Sequence, residues 1–105
     1  MTDIEFYNIL NQVEITWRYN HVEKGTKLPY GVYTFERASA LNADNKVYST
    51  KNDVEVKIYA RTKDNLDEIC VALEEVFENN DIVWNSDETY SMDEEFYLNV
   101  YHMEV

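Results

Sequence analysis

The chain has one proline, two glycines and one cysteine among its 105 residues. Gly25 and Gly31 are too few to build a glycine-rich loop that cradles phosphate, which removes nucleotide-binding motifs of that kind. The lone Cys70 has no internal disulfide partner, as expected of a protein kept in a reducing compartment. No apolar run approaches membrane-spanning length. The opening MTDIEFYNIL carries acids where a secretion signal would carry basic residues. Basic side chains are also missing from a whole half of the chain. Residues 1–63 hold all nine Lys and Arg against eight Asp and Glu, a balance of +1, whereas residues 64–105 hold thirteen acids and no Lys or Arg, a balance of −13. Phosphate-contact binding of nucleic acid needs clustered cations, so it is not expected. The expectation is a soluble, cytosolic domain with one strongly negative surface, suited to solubility, to repelling DNA or to meeting a basic partner.

What is present is apolar and aromatic. Hydrophobic residues make up 45% of the chain and aromatics 14%, with nine tyrosines. That is too rich for a disordered chain, and the length suits one domain with a modest core. Tyrosine favours half-buried sheet faces and interfaces, where its ring packs and its hydroxyl stays wet.

The hydrophobic period assigns the elements. Phe6, Ile9, Leu10 and Val13 share one helical face, with Thr2 or Asp3 as cap. EITWRYNHV alternates as a strand with Ile15, Trp17 and Tyr19 on one side. EKGTKLP is a turn or loop, and YGVYTFERA is a second strand. Gly31 there indicates a bulge or a close contact. Val54, Val56, Ile58 and Ala60 alternate with Glu55, Lys57 and Tyr59 in the clearest strand. Leu66, Ile69, Cys70, Leu73, Val76 and Phe77 then form an apolar helix stripe, with Asp64 or Asn65 as cap and Asn79 and Asn80 as the stop. IVWNSDETY and EFYLNVYHMEV close the chain as an antiparallel pair. In the last strand Phe96, Leu98 and Val100 lie on one face, and Tyr97, Tyr101 and Met103 on the other. The order α-β-β-β-α-β-β predicts an α+β fold in a single domain: a mainly antiparallel sheet of four to five strands, packed on one face by two helices.

Three places invite chemistry. The stretch NADNKVYSTKND, Asn42 to Asp53, resembles a cation loop in composition only. Read as an EF-hand from Asn42, Asp44 falls on a ligand position, but Lys46 occupies the next and no glycine follows it. A connection with Asx turns at Asn42, Asp44 and Asn45 is the expectation. The cluster Asp87, Glu88, Asp93, Glu94 and Glu95 has carboxylates enough for a magnesium site or an acid–base pair, but no His or Cys accompanies it. His21 and His102 have no nucleophile at an informative spacing, and Cys70 on its apolar stripe reads as a buried, inert thiol. No enzyme, metal or cofactor is expected. Tyr33, Tyr59, Tyr97 and Tyr101 are expected on strand faces opposite the helix-covered core, as an amphipathic patch of the kind found at protein interfaces. Trp17 and Trp84 fit either core or interface.

The segments KLPYGVYTF, ALNADNKVYSTKNDVEVKIYARTKDNLDEICVALEEVF and ETYSMDEEFYLNVYHMEV together resemble the small tail-terminator (tail-completion) proteins of long-tailed bacteriophages and prophages of Gram-positive bacteria. The resemblance runs from about Lys27 to Val105. It rests on LPY entering a strand, the ADNKVY loop, a V-x-V-x-I-Y strand, a TKD turn into an amphipathic helix, and a tyrosine-rich last strand. Gly31 departs from it, standing where a bulky strand residue is expected. The resemblance implies a homo-hexameric ring at the tail–head junction of the virion, assembled in the cytoplasm of the bacterial host. Its implied partners are the tail tube protein and the head connector or stopper, with DNA passing through the ring without specific binding and no membrane involved.

A ring needs a heterologous interface, one patch meeting a different patch on the next copy. The split charge offers Lys24, Lys27, Lys46 and Lys51 to face acids of a neighbour, with Tyr97, Tyr101, Asn42 and Asp44 as further interface candidates. Surplus acid from Asp87, Glu88, Asp93, Glu94 and Glu95 would line or rim the channel. The loop from Asn42 to Asn52 is expected to act as a docking arm. The alternatives are an acidic inhibitor or immunity-like module occupying a basic groove, a neighbouring head–tail adaptor, and a carboxylate-based metal enzyme.

Overall fold

Local chemistry sets the first element. In α1 (Asp3–Leu10) Thr2 and Glu5 form a reciprocal capping box: Glu5 N donates to Thr2 Oγ1 at 3.1 Å and Thr2 N donates to Glu5 Oε1 at 3.3 Å. That hydrogen bonding also lowers the Glu5 carboxyl below its ordinary range. The computed structural model describes residues 1–37 and 52–105. The connection predicted from Asn42 therefore lies outside the described residues, and so do the interface candidates Asn42, Asp44, Lys46 and Lys51. Asn52 itself begins a strand.

After α1 come β1 (Thr16–Tyr19), β2 (Tyr30–Arg37), β3 (Asn52–Ala60), α2 (Lys63–Asn79), β4 (Trp84–Ser91) and β5 (Phe96–Glu104). They form an α+β fold whose five-stranded sheet has the order β1-β2-β3-β5-β4. The β2–β3, β3–β5 and β4–β5 pairs are antiparallel, whereas β1 and β2 run parallel. EKGTKLP is thus a return loop rather than a hairpin turn. A four-residue strand is only about 13 Å long, and the ten residues between Tyr19 and Tyr30 can retrace it without a helix. Gly25 in this loop takes a φ of 92°, the left-handed region a side chain disfavours.

One face of the sheet carries the core. Val54, Val56, Ile58 and Ala60 of β3 meet Leu66, Ile69, Leu73, Val76 and Phe77 of α2 and Phe6, Ile9 and Leu10 of α1. Trp17 belongs to this core, its indole Nε1 donating to Val13 O at 3.0 Å. It also explains the departure at Gly31, the residue paired with it: a Cβ there would come within 2.3 Å of the Trp17 ring. The glycine marks a close contact, and the register runs on without a bulge. Trp84 is half-buried against Phe77.

Two expectations are corrected. The cap of α2 is Thr62, whose side chain accepts from Asn65 N at 3.1 Å, so Asp64 and Asn65 already lie inside the helix. The faces of β5 are reversed relative to the core. Tyr101 is opposite Val56 and Met103 opposite Val54, which puts the Tyr97–Asn99–Tyr101–Met103 row under the helices. Phe96, Leu98 and Val100 face the other way. Tyr33 and Tyr101 are buried core residues and Tyr97 packs beside the core, so of the four predicted patch tyrosines only Tyr59 stands on the uncovered face.

Candidate functional site

Three surfaces carry the polar and aromatic groups that the core does not use. The first is the uncovered face of the sheet. At one end Tyr30, Tyr59 and Phe96 form an aromatic row, with ring centroids 4.7 Å apart for Tyr30–Tyr59 and 5.1 Å for Tyr59–Phe96. Desolvation raises the Tyr30 and Tyr59 hydroxyls above their ordinary range, and the charge of Glu94 adds to the rise. The turn after β4 therefore brings Glu94 near this row. At the other end Glu55 sits between Lys57 Nζ at 3.3 Å and His102 Nδ1 at 3.6 Å. This end is a shallow concavity of about 880 Å³, bordered by Glu36, Asp53, Glu55, Lys57 and Glu104. It is too open to desolvate a small ligand.

The second surface is a groove of about 500 Å³ between α2 and β4. Lys63 opens it, donating to Asp67 Oδ1 at 2.7 Å and to Glu88. Those hydrogen bonds, to Asp67 first and then to Glu88, raise the Lys63 ammonium pKa. Beneath lie Cys70, Glu74, Asn99 and Tyr101. Tyr101 donates its hydroxyl to Glu74 Oε2 at 2.7 Å, and Asn99 Nδ2 donates to Cys70 Sγ at 3.3 Å. Burial pushes both the Cys70 thiol and the Tyr101 hydroxyl up, so neither ionises readily. A thiol held protonated is a packing group rather than a nucleophile. Sequence patterning does not single out Glu74, which lies off the apolar stripe of α2. The one hint is Asn99, a polar side chain on the strand row that also holds Tyr101 and Met103.

The third surface comprises the two lateral edges of the sheet. Among the described residues no strand pairs with the outer side of β1 or of β4; on β1 the Trp17 carbonyl accepts from Arg18 Nη1 at 3.0 Å and the Tyr19 carbonyl from His21 N at 2.8 Å. The five predicted acids divide between places. Asp87 points to the uncovered face, opposite Val100, and Glu88 to the helix side, opposite Asn99 and held by Lys63. Asp93, Glu94 and Glu95 occupy the turn between β4 and β5. All five are exposed, as are Lys24 and Lys27 in the β1–β2 return loop. Tyr101 is wholly buried, with 0% exposure, and cannot serve as an interface residue; Tyr97 is half-buried and packs against Tyr90. Among the described residues no group of three or more His, Cys, Asp or Glu side chains is gathered to hold a metal ion, and no helix is long and apolar enough to cross a membrane.

No protein-family model matches the chain, and no curated protein matches it.

Proposed function

We propose that this protein is a structural component of phage assembly: a ring-forming tail terminator that caps the tail tube and joins it to the head connector. The observation that carries the reading is one sheet with two lateral edges unpartnered among the described residues and of different character. One edge adjoins the basic return loop with Lys24 and Lys27, and the other carries Asp87 and Glu88 and ends in the acidic turn. Two unlike patches on opposite sides of one subunit are what a head-to-tail contact requires. The resemblance over Lys27–Val105 supplies the biological setting. Its implied fold, a sheet packed by helices, agrees with the architecture described above.

In this reading the work is mechanical. The ring seats on the tube end and blocks further polymerisation. Its surplus acid repels the passing DNA, so that the conduit does not hold its cargo. The test is removal of the gene from the phage or prophage, followed by electron microscopy. Tails of uncontrolled length that fail to join filled heads are expected. Normal tails on filled heads would refute the reading, and a one-to-one complex with a basic partner would favour the inhibitor alternative.

A further inference from the structure

The strand directions and registers say how two copies would meet. Strands β1, β2 and β5 run one way and β3 and β4 the other. Placing β1 of one copy beside β4 of the next, with both copies in the same orientation, therefore makes an antiparallel pair, the geometry of a regular hydrogen-bonded ladder.

The registers also fix the levels of the two edges. Reading across the sheet, Arg18 is level with Val32, Lys57, Val100 and Asp87, and all five side chains lie on the uncovered face. Arg18 is the only charged residue of β1, and Asp87 is the only charged residue that β4 presents on that face. A slip by one residue would turn the side chains to opposite faces. A slip by two would set Arg18 against Asn85 or Thr89. Only the level register opposes an arginine to a carboxylate, and it also places Thr16 against Thr89 and Tyr19 against Ser86. Opposite charges and Thr–Thr pairs are favoured cross-strand neighbours. The β1–β2 return loop with Lys27 and the acidic turn Asp93–Glu95 lie at the same end of the sheet, since Tyr30 is level with Tyr59 and Leu98. They too would meet across the contact.

We propose that a second copy of this chain occupies each edge, with β1 of one copy pairing antiparallel with β4 of the next and Arg18 opposite Asp87. The sheet then runs continuously from subunit to subunit. The inference deepens the ring reading and depends on it only for closure of the chain of contacts.

The experiment places cysteines at the two exposed threonines, Thr16→Cys and Thr89→Cys, in the full chain, and treats the folded protein with a short thiol-specific cross-linker. Within one copy the two sites are four strand spacings apart, about 19 Å, beyond such a linker. Cys70 is buried and common to all variants. The double variant is expected to give a covalent ladder of trimers and larger species, while either single variant goes no further than dimers. Arg18→Glu or Asp87→Arg in the double-cysteine background should reduce the ladder to the single-variant pattern, and both together should restore it. A double variant that stops at dimers, a ladder indifferent to both charge reversals, or a swapped pair that fails to restore it would each overturn the proposal. Circular dichroism confirms that each variant is folded. A restored ladder alongside normal tails in gene-deleted virions would uphold the edge pairing while refuting the tail role.

Discussion

Single residues decide the close contacts. Only glycine at position 31 is small enough to let the Trp17 ring lie on β2, so Gly31→Ala forces a ring or a strand to move. Overpacking of this kind costs about 1–3 kcal/mol. Urea denaturation should show the midpoint falling, and the same Gly31→Ala change should cost much less when made in a Trp17→Leu background, where the ring it meets is gone; a Gly31→Ala variant as stable as the parent would contradict the packing. Tyr101 makes a second residue-scale case. Its buried hydroxyl donates to Glu74, and burial holds its pKa above the ordinary value of 10.0. In the unfolded chain it ionises near pH 10, so above that pH the unfolded state holds fewer protons than the folded one. Stability is then fully present below pH 10 and falls as the pH rises further. Tyr30, Tyr33 and Tyr59 are shifted the same way. Alkaline unfolding followed by tyrosine absorbance should therefore be steep above pH 10, and less steep in Tyr101→Phe. At neutral pH that variant should lose about 1 kcal/mol from the lost hydrogen bond. An unchanged alkaline slope would show that Tyr101 is not the buried titrating group.

At the scale of elements, legibility followed the strength of the local pattern. In β3 the alternation of Val54, Val56, Ile58 and Ala60 was readable because one face is buried and the other polar. The stripe of α2 was readable for the same reason. Its first residue was not, because Thr62, Asp64 and Asn65 are all good caps and only the geometry of the Arg61–Thr62 entry selects Thr62. Thr62→Ala should lower stability by about 1 kcal/mol, while Asp64→Ala, which leaves the cap intact, should cost less. Thermal melts reversing that order would return the cap to Asp64. In β5 the alternation separates two faces without saying which is dry. Phe96, Leu98 and Val100 are the more apolar set, yet Tyr101 can be buried because Glu74 satisfies its hydroxyl. The parallel entry of β1 left no trace in EKGTKLP, which would serve equally as a hairpin turn; only the shortness of β1 allows the retracing loop. Of the candidate site, the acids of β4 and its turn were visible as a run, but their division between two faces depends on the β4–β5 register.

For the whole molecule, charge imbalance outweighs every other surface feature. Residues 64–105 place thirteen acids on α2, β4, β5 and the linking turns with no Lys or Arg among them. Among the described residues the cations of the first half neutralise few of these: Lys63 bridges Asp67 and Glu88 from the start of α2. Exposed bridges of this kind contribute little and are themselves screened by salt. Repulsion among the acids acts over longer distances and outweighs them, destabilising the compact state. Raising sodium chloride from about 0.01 M to about 1 M shortens the screening length from about 30 Å to about 3 Å. The urea midpoint of the isolated subunit should therefore rise with salt, the reverse of what a fold held by ion pairs would do. Neutralising the turn with Asp93→Asn, Glu94→Gln and Glu95→Gln should raise the low-salt midpoint and flatten the salt dependence. A midpoint that falls with salt, or a triple variant with undiminished salt dependence, would mean that these carboxylates are already balanced within the subunit. They would then have no excess charge to offer the next copy.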